Sequence, residues 1–106
     1  MIIRTPLTIK DVKVGTLYFE PTCVAPYNEL CRVTQIIPNP TAGETVKDLW
    51  GGVVWHEPAY TIKSVGLTTG KEKGCVVQSD NQILNNGFLM FAETEEDYNE
   101  FMRYRN

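Results

Sequence analysis

Cys31-Arg32-Val33-Thr34-Gln35-Ile36-Ile37, closed by Pro38-Asn39-Pro40, is the stretch that decides the fold. Cys31, Val33 and Gln35 alternate with Arg32, Thr34 and Ile36, the period of two that sends successive side chains to opposite faces of a strand. One of those faces is imperfectly apolar. The prolines lack an amide to donate to a ladder, so the strand predicted over 31–37 ends there.

Towards the N-terminus, Pro21 to Leu30 reads as a loop that turns Tyr27 outward or onto the rim of the core, because it holds two prolines and an asparagine. Before it, Thr16 to Glu20 places Leu17, Tyr18 and Phe19 in a short β-rich run stopped by Pro21. Thr8 and Asp11 are spaced to start a helix, and Gly15 offers an easy stop, so the segment between them holds one helical turn at most.

Towards the C-terminus, Pro38 to Lys47 is the longest polar segment and reads as a loop that either carries function or is mobile. Gly51-Gly52 suits a bend. Val53–Glu57 and Ala59–Val65 are two strands separated by a kink at Pro58. Gly70-Lys71-Glu72-Lys73-Gly74 is a charged turn that would join Val65–Thr69 to Cys75–Gln78 as a hairpin. Asn85-Asn86-Gly87 would join Gln82–Leu84 to Phe88–Ala92 as another. The clearest element is a helix over about 95–104. Thr94 caps it, the acidic residues Glu93, Glu95, Glu96 and Asp97 favour its start, and Tyr98, Phe101, Met102 and Arg105 recur at helical spacing.

Five to seven short strands and one closing helix give a mostly β (α+β) chain. The expected architecture is a small SH3-like barrel or a strongly bent antiparallel sheet with one C-terminal helix, since either shortens exposed edges. At 106 residues the whole chain, 1–106, is expected to be one β-rich domain, a second core being too small to hold itself together.

No window approaches the roughly eighteen apolar residues of a membrane span, and the N-terminus lacks a secretory pattern, so a soluble cytoplasmic protein with no membrane partner is expected. Three cysteines, an odd number without a dense framework, suit reduced thiols in that compartment. The net charge is −3 with scattered basic residues, which argues against duplex nucleic acid, whose phosphates need clustered Lys and Arg.

Candidate sites for chemistry are few. His56 and Glu57 are neighbours on a strand and so point to opposite faces, which denies them a local acid–base partnership and favours a structural histidine. Cys23, Cys31, Cys75 and His56 could supply four zinc ligands, but their spacing is not that of a knuckle, and buried thiols are the simpler reading. Gly70 to Gly74 lacks the pattern of a phosphate loop. No catalytic residue, metal ligand or cofactor is therefore assigned. The acidic run Glu93, Glu95, Glu96, Asp97 and Glu100 could imitate phosphates, though helix-start electrostatics explains most of it. Aromatic residues say more. A small core cannot house Tyr18, Phe19, Tyr27, Trp50, Trp55 and Tyr60 together with Phe88, Phe91, Tyr98 and Phe101. Tyr27, Trp50, Trp55 and Tyr60 are therefore the candidate binding residues.

Lys10-Asp11-Val12-Lys13-Val14-Gly15-Thr16-Leu17-Tyr18 resembles the opening of many SH3-like barrels, where a turn of helix passes through glycine into the first strand. The short length and the ending Glu96-Asp97-Tyr98-Asn99-Glu100-Phe101 resemble small accessory proteins of tailed bacteriophages. That second resemblance implies a protein that binds and redirects a host or phage protein, in the host cytoplasm. Neither resemblance transfers a functional residue. The leading expectation is a non-enzymatic protein-binding domain, an inhibitor or adaptor, with exposed aromatics and the Pro38–Lys47 loop at the interface. A single-stranded nucleic-acid binder that stacks bases on those aromatics is second, and a small-molecule enzyme third. The oligomeric state is left open.

Overall fold

The computed structural model describes residues 2–105, the side chain of Arg105 excepted. In chain order the strands are β1 (Ile2–Ile3), β2 (Leu17–Phe19), β3 (Cys31–Pro38), β4 (Thr45–Lys47), β5 (Val53–His56), β6 (Tyr60–Gly66), β7 (Glu72–Val77) and β8 (Met90–Ala92), followed by the helix α1 (Glu95–Arg105). Six strands form one antiparallel sheet in the order β1-β8-β2-β3-β6-β7, and β4 and β5 form a second, two-stranded one. The chain is thus mostly β with one C-terminal helix. Neither sheet closes among the described residues, so the SH3-like barrel form of the expectation is not what is seen. The long β7 forms one free edge, and the other free edge, β1, is two residues long and offers β7 no ladder to close on.

All three residues of β2 are buried, because that part of the sheet is covered on both faces. Tyr18 faces a cluster made by Val33, Ile62, Val77, Leu84 and Phe91, closed by Ile9 of the short 3-10 turn Ile9–Asp11 and by Val12 just after it. Leu17 and Phe19 alternate to the other face, where Leu30, Ala92 and the helix residues Tyr98, Phe101 and Met102 cover them. Phe19 is 0 % exposed. The Tyr98 ring meets it edge-on at 4.9 Å and the Phe101 ring lies at 5.3 Å. The helix starts where its capping residue predicts: the Asp97 amide donates to Thr94 Oγ1 at 3.2 Å, and the Thr94 hydroxyl donates to Asp97 Oδ2 at 3.0 Å. Arg105, the last member of the helical stripe, has its side chain outside the described set.

The imperfect alternation of 31–37 has a local cause. Val33 stands opposite Ser64 and Gln35 opposite Lys63, which leaves Thr34 as an extra residue in a β-bulge. Beyond it the inward face passes from Cys31 and Val33 to Ile36, which pairs with the buried Ile62.

Both predicted hairpins need correction. The β6–β7 turn falls at 67–71, earlier than expected: the Gly66 amide bonds to Lys71 O, and Gly74 lies inside β7 opposite Lys63. Glu29 fixes that turn from across the sheet. Its carboxylate accepts from the Thr68 and Thr69 amides at 3.2 and 2.9 Å and from the Thr69 hydroxyl at 2.6 Å, and Lys73 Nζ lies 2.9 Å away. Gly66 leaves room for it: a Cβ there would stand 1.9 Å from Glu29 Oε1 and would force the carboxylate to shift. The second predicted hairpin does not form. Gln82–Leu84 is not a strand, and β8 pairs instead with β1 and β2. Asn85 is the reason: its side chain accepts from the Leu7 amide at 2.7 Å and donates to Thr5 O, tying this segment to the N-terminal one. Phe88, expected in the core, is exposed as a result.

Candidate functional site

The two-stranded sheet is the outer continuation of the β3–β6 pair. That ladder runs to Pro38 opposite Tyr60, and the Asn39 amide then donates to Ala59 O at 2.8 Å. Pro40 and Pro58 interrupt it there, having no amides to give. Asn39 bridges the gap. Its Nδ2 donates to Pro58 O at 2.8 Å, while its Oδ1 accepts from the amide and hydroxyl of Thr41 at 3.2 and 2.9 Å. Pairing resumes with Gly43 and Glu44 against Glu57, at 2.9 and 2.7 Å. Thr45 then faces His56, Val46 faces Trp55 and Lys47 faces Val53, with Val54 left over as a bulge. The segment expected to be a loop over 38–47 is therefore half of a projecting arm.

A tight turn closes the far end. Asp48 Oδ1 accepts from the Trp50 and Gly52 amides at 2.9 and 2.8 Å, and the Asp48 amide donates to Gly52 O at 2.9 Å. Gly51 sits at φ 81°, a left-handed conformation that glycine adopts without strain. The turn leaves Leu49 94 % and Trp50 89 % exposed, and behind them Val53, Val54 and Trp55 are also exposed. With this arm included the molecule measures 51 × 26 × 23 Å.

Of the four predicted binding residues, the arm thus brings together two, Trp50 and Trp55. Tyr60 lies at the arm's base, half-buried against the core, and the Asp80 carboxylate near its hydroxyl raises its pKa. Tyr27 is exposed, but on the loop before β3, and the start of β3 pairs with Gly66 at the opposite end of β6 from the arm. It is not part of this surface. Sequence reasoning placed the two tryptophans outside the core but missed the arm that joins them. The signal was present as Asp48-Leu49-Trp50-Gly51-Gly52, a turn pattern set between Pro40 and Pro58 at the inner ends of the two strands.

The residues considered for chemistry are dispersed. His56 is exposed on the arm, its Nδ1 3.1 Å from the Thr45 hydroxyl. Cys31 and Cys75 belong to the core, where burial raises both thiol pKa values, and the Cys23 thiol donates to Glu20 at 3.0 Å, which raises its own. All three are poor nucleophiles near neutral pH for that reason. No group of three or more His, Cys, Asp or Glu side chains among the described residues is arranged to hold a metal ion. The void beneath Tyr18, Ile62 and Phe91 measures about 10 Å³, room for one water at most, and its lining is apolar apart from the Tyr18 hydroxyl, which is hydrogen-bonded to Ser64. No helix among the described residues is long and apolar enough to cross a membrane. No protein-family model, no curated protein and no solved structure matches this chain.

Proposed function

We propose that this chain is a non-enzymatic protein-binding domain that engages its partner with the β4–β5 arm. The observation that carries this reading is the exposure of Leu49, Trp50, Val53, Val54 and Trp55 on one projecting ribbon. A water-exposed apolar surface of this kind is costly to a monomer, and Trp at the centre of such a patch is a strong anchor once a partner desolvates it. In the setting that its likeness to small phage accessory proteins implies, the chain acts as an inhibitor or adaptor on a host or phage protein.

Charge separates this from the single-stranded nucleic-acid reading, which the two exposed indoles would otherwise also support. Residues 43–57 carry Glu44, Asp48 and Glu57 against Lys47 alone, and phosphates would meet that surface unfavourably. Affinity capture from host cells with the natural chain and with Trp50→Ser tests the proposal. Proteins held by the first and lost by the second support it, and an unchanged set of captured proteins counts against it. A labelled oligonucleotide bound in a salt-dependent way would move the assignment to nucleic acid.

A further inference from the structure

The arm's two edges differ in a way that identifies what fits one of them. Sheet edges that stay unpaired are usually guarded by charge, lysine above all. The β4 side of the arm has Glu44, Lys47 and Asp48, and the free edge β7 has Glu72 and Lys73. From Leu49 to His56, by contrast, eight residues pass without a formally charged side chain, and β5 lies within them. Its residues are the strand formers Val53, Val54 and Trp55, all exposed, and Val54 has no partner in β4. A two-stranded ribbon of this length is only marginally stable in water, and a third strand or more is what stabilises it.

We propose that two copies of this chain associate by pairing β5 antiparallel with β5 about a two-fold axis, making one four-stranded ribbon from two arms. This rests on the arm being the binding surface and names its partner as a second copy. Antiparallel pairing about such an axis must set a residue against itself. Placed at Trp55, it puts Trp55 beside Trp55 of the second copy, Val54 against His56 and Val53 against Glu57. Like charges meet nowhere along that edge, and the aromatic pair at the axis is favourable. The same operation on β4, centred at Val46, would set Glu44 against Asp48. The paired stretch carries Val53, Val54 and Trp55, and the exposed Leu49 and Trp50 stand at the tip beyond it, so the association covers apolar surface that a single chain leaves in water.

The experiment is light scattering during size exclusion over about 1 to 100 μM, which reads dissociation constants in the micromolar range. The natural chain should show twice the 12.0 kDa of one chain. Trp55→Lys and Trp55→Glu should each be monomeric, and an equimolar mixture of the two should recover the dimer mass. A natural chain that is monomeric throughout, or a Trp55→Lys chain that remains dimeric, overturns the proposal. Should Trp55→Lys also lose its fold, the natural chain still decides. Both tryptophans lie on the arm, so their emission must move to longer wavelength on dilution if the dimer is built this way, and an emission indifferent to dilution sinks it. If the chain is monomeric while Trp50→Ser still abolishes capture of another protein, self-pairing is wrong and the protein-binding reading stands. If capture too ignores Trp50→Ser, both fall.

Discussion

Leu17-Tyr18-Phe19 and Val53-Val54-Trp55 are comparable three-residue runs of strand-forming apolar residues, yet the first is buried on both faces and the second on neither. Composition within the run does not separate them. What separates them is what the rest of the chain can lay over each. β2 has the 3-10 turn and the 78–89 segment on one side and α1 on the other, because those elements have apolar stripes of their own to hide. β5 has only β4 beside it, and the prolines at its base take the pair away from the six-stranded sheet. Burial is thus set by distant covering elements, whereas local sequence sets only the strand.

The sharpest contrast comes from removing one ring from the covered region. Phe19→Ala takes away the side chain that Tyr98 and Phe101 pack against, and should cost about 3 to 5 kcal/mol in chemical denaturation, a large part of what a small domain has. Phe101, only half-buried, should cost less than Phe19, on the order of 2 kcal/mol. A reversed order would mean that the helix, and not β2, is the centre of this layer.

Glu29 tests the covered end in a different way. It is 5 % exposed, and its carboxyl is held at about 2, chiefly by the Thr69 hydroxyl and then by Lys73 and the Thr69 amide, against burial that pushes it up. Its ordinary value is 4.5. Because the folded value is the lower one, the stabilisation is full above about pH 4.5 and disappears as pH falls through 2. Glu29→Gln should therefore destabilise by about 2 kcal/mol near neutral pH, and the difference from the natural chain should shrink across that acid window. A difference independent of pH would show that the carboxylate's charge is not what pins the 67–71 turn.

How much of this was legible in the sequence follows the same division. Signals of capping, periodicity and chain stop were reliable where the glycine turn signals were not: Thr94 with Asp97, the stripe Tyr98, Phe101 and Met102, and the stop at Pro38 all act within a few residues, and helix and strand appear where they predict. Signals that act across the chain were silent. Nothing near Glu29 announces that it will seize a turn forty residues on, and nothing near Asn85 announces that it binds the backbone at Thr5 and Leu7 in place of making a hairpin. The candidate site was half legible for that reason. Trp50 and Trp55 could be placed outside the core by counting rings, but that the Pro38–Lys47 segment returns to pair with them depends on a ladder spanning Asn39 and Ala59.

A smaller effect is expected at the helix start, where Thr94→Ala removes the acceptor for the Asp97 amide and should cost about 1 kcal/mol. Glu100→Ala, on the exposed face of the same helix, should stay within about 0.5 kcal/mol. Equal losses for the two would mean that the cap contributes nothing beyond helix propensity.

The smallest effect belongs to the arm, and it is the one that most directly opposes the two regions. Trp50 is as large a side chain as the protein contains, yet it stands at the tip, held only through its backbone amide by Asp48. Its indole contributes little to the fold of a single chain if it touches nothing, so Trp50→Ala should shift the denaturation midpoint by less than about 0.5 kcal/mol, while Phe19→Ala, a smaller truncation, costs several times more. The comparison is made at low protein concentration, because association through the arm would add a stabilisation that grows with concentration and would be read as a folding effect. A loss above about 1 kcal/mol in dilute solution would mean that the tip folds back onto the sheet in a monomer. In that case the exposed ribbon would be a covered element like β2, and the argument for a partner would lose its basis.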